Sequence, residues 1–253
     1  MSAYLMRKCL AIIGCCVLLA GCSGSSPTEP TKLPTLSKTR FLAFGDSLTA
    51  GEVTVPVGVI SEAPSSGLLG PTNYRMLVVP TASYPTQLLS MLQSKFSSQS
   101  ATLVVTNSGV PGEYSFQGVA RFPDVMTATN PEVVLLLHGV NDLPFGNTDL
   151  PAGSIQTMAA EGKRRGALVL LSTLMPGKPG GRNTQNVALV EELNAKIKVI
   201  ALAEGAVLVN LYDALLPEAN TLIGVDGLHP TEVGYKRMAD VFLAAIQANL
   251  EKK

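Results

Sequence analysis

The sequence predicts a three-layer α/β/α domain built on a mostly parallel, five-stranded sheet. Three observations point there. Five short apolar runs alternate with longer segments of helical period, the order expected when helices cover both faces of a parallel sheet. Of 253 residues, 46% are apolar and 15% charged, enough apolar material to bury such a sheet. Polar, glycine-containing stretches follow the runs closely, at the strand exits where open α/β sheets collect functional groups.

In chain order, a leader comes first. Arg7 and Lys8 precede an apolar run from Cys9 to Ala20, shorter than the roughly 20 residues of a spanning helix but suited to an export signal. It ends in Leu19-Ala20-Gly21-Cys22, which resembles the lipobox of bacterial lipoproteins. That resemblance implies a signal peptide over 1–21, cleavage before Cys22 and lipid on Cys22. All four cysteines lie in this segment, so the cleaved chain keeps one thiol and no internal disulfide. Cleavage also removes two bases and no acid, turning a formally neutral chain mildly acidic. With no basic field, nucleic acid is not an expected partner. The Ser-, Thr- and Pro-rich stretch 22–38 reads as a tether. The chain is thus expected in a bacterial cell envelope, held at a membrane by its N-terminal lipid; Ser23, not being aspartate, resembles the pattern of outer-membrane sorting.

The domain is expected over 39–253. Its strands are the runs Arg40–Phe44, Ala101–Thr106, Glu132–Leu137, Ala167–Leu171 and Ala206–Leu211, whose continuous Val and Leu suit strands buried on both faces. Helical candidates are Tyr84–Phe96, Phe116–Thr127, Ser154–Arg165, Asn186–Glu204 and Thr231–Leu250. In the last, Val233, Met238, Val241, Phe242, Ala245 and Ile246 form an apolar stripe that core packing explains.

The strand exits carry the chemistry. They hold Gly45-Asp46-Ser47, Asn107-Ser108-Gly109, His138-Gly139-Val140-Asn141-Asp142 and, after a longer loop, Asp226-Gly227-Leu228-His229-Pro230. A serine hydroxyl needs a base to take its proton during attack and a third group to orient that base. Histidine suits the base role. The oxyanion formed on the substrate needs preorganised donors, usually backbone amides and a carboxamide. Ser47, His229, Asp226, Gly109 and Asn141 supply such a set. Asp46 reads as structural, bonding nearby amides; Asp142 reads as a loop residue, His138 as a histidine satisfied behind the site, and Pro230 as fixing a helix start. With two histidines and no ligand spacing, no metal or other cofactor is expected. The absence of a G-x-S-x-G elbow around Ser47 argues against the α/β-hydrolase arrangement.

These four blocks, in this order, resemble the GDSL or SGNH hydrolases, serine esterases of flavodoxin-like fold, from about Thr39 to the C-terminus. The resemblance implies catalysis by Ser47, Asp226 and His229, and an oxyanion hole made by the amides of Ser47 and Gly109 and the Asn141 side chain. Members pass quickly from the nucleophile to a tyrosine-bearing helix start, here resembled by Ser83-Tyr84-Pro85. Residues 52–82 therefore stand out as an insertion, apolar and broken by Gly and Pro, expected to form a hairpin or loop flanking the site. It either walls the site and selects the acyl or alcohol group, or packs on the surface and touches no substrate. The expected function is hydrolysis of a small-molecule or envelope carboxylic ester through an acyl-serine intermediate. Lipid or lysophospholipid esters, short acyl groups on envelope polysaccharide, and thioesters all fit. The alternative is a non-catalytic envelope lipoprotein that binds an acylated ligand.

Overall fold

The computed structural model describes residues 33–56, 74–178 and 186–252. The expected signal peptide, Cys22, most of the tether and the middle of the 52–82 segment lie outside the described residues.

The described chain begins with β1 (Thr35–Leu36), β2 (Arg40–Gly45) and the one-turn helix α1 (Ser47–Ala50), then β3 (Glu52–Pro56) and β4 (Tyr74–Val78). There follow α2 (Tyr84–Lys95), β5 (Val104–Gly109), α3 (Ser115–Thr129), β6 (Val133–Leu137) and α4 (Asp149–Arg164). The chain closes with β7 (Leu168–Ser172), α5 (Val187–Glu204), β8 (Val207–Val209), α6 (Leu211–Leu215), α7 (Ala219–Leu222), α8 (Glu232–Leu250) and β9 (Glu251–Lys252).

Five of these strands form the parallel sheet, in the order β5-β2-β6-β7-β8. Numbered among themselves they run 2-1-3-4-5, the flavodoxin-like order in which the chain reverses direction between its first and third strands. Right-handed crossovers then send α2 to one face, where it packs on α8, and α3, α4 and α5 to the other. The central strand β6, Val-Val-Leu-Leu-Leu, is buried along its whole length, as a strand covered on both faces must be.

Several boundaries differ from the sequence reading, each for a local reason. The second strand begins at Val104, not Ala101, because the Thr102 and Leu103 N–H groups both turn back to the Gln99 carbonyl. Asn107-Ser108-Gly109 is therefore the end of that strand and not its exit. α4 starts five residues early, since Pro151 in a first turn forfeits no hydrogen bond. β8 ends at Val209 because the Asn210 side chain accepts the Asp213 N–H and starts α6. Pro230 precedes the α8 cap; Thr231 supplies it, its Oγ1 accepting from the Gly234 N–H.

Two further pairings complete the domain. β3 and β4 form an antiparallel hairpin, Glu52 opposite Val78 and Pro56 opposite Tyr74, so of the two shapes expected for this segment it takes the hairpin. β1 pairs with β9 at the far end of the chain, which draws residues 35–36 of the expected tether into the domain. Leu36 is buried there, its N–H and C=O both held by the Gln99 side chain.

Tyr84 of α2 stacks on Phe242 of α8, ring centres 4.9 Å apart and both rings buried. Phe242→Ala is expected to cost about 3–5 kcal/mol by emptying that layer, read from the midpoint of urea unfolding.

Candidate active site

The first strand exit is built around Asp46. Its Oδ1 accepts the Leu48 N–H at 3.0 Å, and its carbonyl accepts the Thr49 and Ala50 N–H groups, so the chain turns at once from β2 into α1. This places Ser47 at the head of α1, 2% exposed, with Oγ 2.9 Å from His229 Nε2. The structural reading of Asp46 agrees with this geometry.

His229 arrives from the loop between α7 and α8. Asp226 shapes that loop: its Oδ1 accepts the Leu228 and His229 N–H groups at 3.2 and 3.1 Å, while Oδ2 lies 2.6 Å from His229 Nδ1. Since a carboxylate only accepts, Nδ1 carries the proton and Nε2 presents its lone pair to the Ser47 hydroxyl. Burial pushes the Asp226 carboxyl up, but the His229 hydrogen bond and charge and the two amides outweigh it and hold the group below the usual carboxylate range.

The expected oxyanion donors divide. Asn141 stands in the 3₁₀ turn after β6, its Nδ2 donating one hydrogen to the Glu113 carbonyl at 3.0 Å, which leaves the second hydrogen of the amide for another acceptor. Gly109 does not reach the site. Its N–H is taken by the Asn107 side chain at 3.0 Å, and it pairs with Gly45 inside the sheet. The physical reason is local: Asn107 Oδ1 turns back on the amide two residues ahead, and the Gly45 carbonyl beside it is taken by the Val110 N–H. Three residues on, Val110-Pro111-Gly112-Glu113 makes a tight turn closed by the Glu113 N–H on the Val110 carbonyl. Gly112 occupies its third position at φ 74°, the left-handed value that glycine suits. Its N–H has no hydrogen-bond partner among the described residues. Ser47, Gly112, Asn141 and His229 all line one cavity of about 390 Å³, closed on its apolar side by Met76, Val140, Pro144 and Leu228.

Behind that cavity lies a buried polar network. Arg121 of α3 grips Glu113 through both carboxylate oxygens, at 2.5 and 2.7 Å, and its remaining hydrogens go to the Ser108 hydroxyl and the Gly45 and Ser108 carbonyls. Its guanidinium lies 3.9 Å over the Phe44 ring. His138 accepts the Gly139 N–H at Nδ1 and meets Glu113 Oε2 with Nε2 at 3.0 Å, so it sits behind the site, as the sequence suggests. Burial pushes Glu113 up, but His138 and Arg121 outweigh it and hold the carboxyl below its ordinary value. Asp46, 4.0 Å from His138 Nδ1, goes the other way: burial raises it against the pull of His138 and the Leu48 N–H. Asp142 accepts both the N–H and the hydroxyl of Ser115, which pins the Asn141 turn to the start of α3.

Sequence reasoning missed Gly112 and Glu52. The first left a signal, a Pro-Gly turn just beyond a strand; the second, whose Oε2 lies 3.4 Å from His229 Nε2, left none, because the contact spans the chain from β3 to the α7–α8 loop. Among the described residues no group of three or more His, Cys, Asp and Glu side chains could hold a metal ion.

A model of the GDSL-like Lipase/Acylhydrolase family matches residues 43–237. An acetylxylan esterase of Xylanibacter ruminicola is 23% identical over 186 residues, 65% of this chain, and the match spans 38% of that protein's length. Among solved structures, an acetylxylan esterase from Geobacillus stearothermophilus superposes with a TM-score of 0.63 at 19% identity, covering 83% of this chain and 94% of the other. The lipase/acylhydrolase from Enterococcus faecalis gives 0.62 at 21% identity, covering 85% and 98%.

Two outcomes follow from the buried network. A β-carbon on Gly118 would meet His138 Nε2 at 2.6 Å. Gly118→Ala is therefore expected to lower the melting temperature, the reverse of the gain of about 1 kcal/mol usual for Gly to Ala in a helix. A carboxyl held low in the fold stabilises above its unfolded value of about 4.3 and loses that contribution as pH falls further. The stability gap between wild type and Glu113→Gln in urea unfolding should thus be widest near neutrality and narrow below about pH 4.

Proposed function

Because this chain belongs to the GDSL-like lipase and acylhydrolase family, we propose that it hydrolyses carboxylic esters through an acyl-serine intermediate. The observation that carries this reading is the continuous relay from Ser47 Oγ through the His229 ring to Asp226, with links of 2.9 and 2.6 Å. As Ser47 Oγ bonds to the ester carbon, its proton passes to His229 Nε2. The carbonyl oxygen takes the negative charge. The N–H of Ser47, the N–H of Gly112 and the free hydrogen of the Asn141 amide then receive it; Gly112 takes the part first expected of Gly109. When the carbon–oxygen bond to the alcohol breaks, Nε2 returns the proton to the departing oxygen. Water enters by the same route, giving up a proton to Nε2, which passes it to Ser47 Oγ as the acyl carbon–oxygen bond breaks and the acid leaves. Asp226 keeps the ring in the tautomer that accepts at Nε2 and balances its charge once protonated.

Short acyl groups are the favoured substrates: two of the similar proteins are named acetylxylan esterases. The chain spans little more than a third of the curated relative, so the resemblance speaks for the domain's chemistry and not for that protein's full substrate range. We place the enzyme in a bacterial envelope, anchored by lipid on Cys22; support for this is the lipobox-like Leu19-Ala20-Gly21-Cys22 after an apolar run. In cells fed labelled palmitate, Cys22→Ala is expected to remain unlabelled and to leave the membrane fraction.

The central test is hydrolysis of a short chromogenic ester. Ser47→Ala should lower kcat by about 10⁴-fold or more, and Asn141→Ala by about 10²- to 10³-fold with little change in KM, the pattern of a donor used only in the transition state. Undiminished turnover by Ser47→Ala would overturn the mechanism.

A further inference from the structure

The inserted hairpin brings a second carboxylate to the catalytic imidazole. Glu52 opens β3, and its Oε2 lies 3.4 Å from His229 Nε2, the nitrogen that also faces Ser47. The side chain is 13% exposed, and its carboxylate accepts no hydrogen bond among the described residues. Its backbone is fixed from three sides. The buried Tyr235 donates its hydroxyl proton to the Glu52 carbonyl at 2.7 Å, Glu52 pairs with Val78, and the Gly51 carbonyl accepts the Val79 N–H. Two residues on, Thr54 packs so closely on Gly224 that a β-carbon there would lie 2.4 Å from its Oγ1, so β3 is seated on the loop that carries Asp226 and His229. Among the described residues that line the cavity, Glu52 and His229 are the two with an acidic or basic side chain.

We propose that Glu52 is a specificity-determining residue for the departing alcohol, its carboxylate accepting a hydrogen bond from a hydroxyl next to the ester oxygen. The inference rests on the hydrolase reading above. When Nε2 returns its proton, the departing oxygen lies about 3 Å from that nitrogen. A carboxylate 3.4 Å from the same atom is within reach of a group on the neighbouring carbon. Ionised carboxylates accept and never donate, so this one favours an alcohol bearing further hydroxyls and repels an anionic one. Esters of neutral polyols, such as glycerol and sugars, are the substrate class that fits. By microscopic reversibility the same contact favours polyols as acceptors of the acyl group.

The matched esters glycerol 1-acetate and propyl acetate differ only in the two hydroxyls beside the ester, and they test the proposal with Ser47→Ala run alongside. Loss of the charge beside Nε2 should slow Glu52→Met on both, but because methionine leaves the hydroxyl no oxygen to bond, the ratio of kcat/KM for glycerol 1-acetate over propyl acetate is expected to fall about tenfold, the worth of one hydrogen bond to a charged group. A second measurement uses the wild-type protein alone: with a chromogenic acetate as donor, glycerol should intercept the acetyl-enzyme better than equimolar 1-propanol. An unchanged ratio in Glu52→Met, or equal capture of the two alcohols, overturns the role of Glu52 while leaving the hydrolase intact. A wild type inert toward both esters and the chromogenic acetate would remove the reading on which the proposal stands.

Discussion

The guanidinium of Arg121 is the interaction on which the rest of the site depends. A half-buried cation is costly unless it is well supplied with acceptors, and this one has the Glu113 carboxylate, the Ser108 hydroxyl and the carbonyls of Gly45 and Ser108. The two carbonyls belong to the C-terminal ends of β2 and β5, neighbours in the sheet, and β2 is the strand beside which the chain order reverses. Arg121 therefore fastens the point at which the nucleophile turn leaves the sheet to the helix on the opposite side. Through Glu113 it also fixes the backbone carbonyl that orients the Asn141 amide. Glu113 is the shared member: its side chain neutralises Arg121 and receives His138, while its main chain positions the oxyanion donor.

Much of this was legible in the sequence, and the division has a physical basis. Ser47, Asp226, His229 and Asn141 meet at the cavity through their side chains, so residue type helps to identify them; Ser47 and Asn141 also follow strand ends closely, whereas Asp226 and His229 come only after α6 and α7. The five-stranded parallel sheet was equally readable, since strands covered on both faces are written as unbroken apolar runs, β6 most plainly. What Gly112 offers the cavity is its N–H, which every residue but proline possesses, so position alone distinguishes it. Three residues of error at the start of β5 were enough to put Gly109 in its place. The Arg121–Glu113–His138 network and the contact of Glu52 with His229 join residues far apart in sequence, and no periodicity encodes such pairs.

The hairpin occupies a middle ground. Its composition marked it as unusual and its flanks as strand-like, but which face it would present to the site depended on the register. With Glu52 opposite Val78, the first residue of β3 turns a carboxylate toward the catalytic imidazole, and Met76 of β4 joins the apolar wall of the cavity. A one-residue slip would exchange the two faces of the hairpin. The seat of Thr54 on Gly224 and the Tyr235 hydroxyl on the Glu52 carbonyl oppose that slip.

The pairing of β1 with β9 has a directional consequence. It lies beside the N-terminal ends of the parallel strands, while Ser47 and its partners lie beyond their C-terminal ends. Leu33, the first described residue, therefore stands at the pole of the domain opposite the cavity mouth. Any pull on that pole is borne in shear by two short strands and by the Gln99 side chain on Leu36.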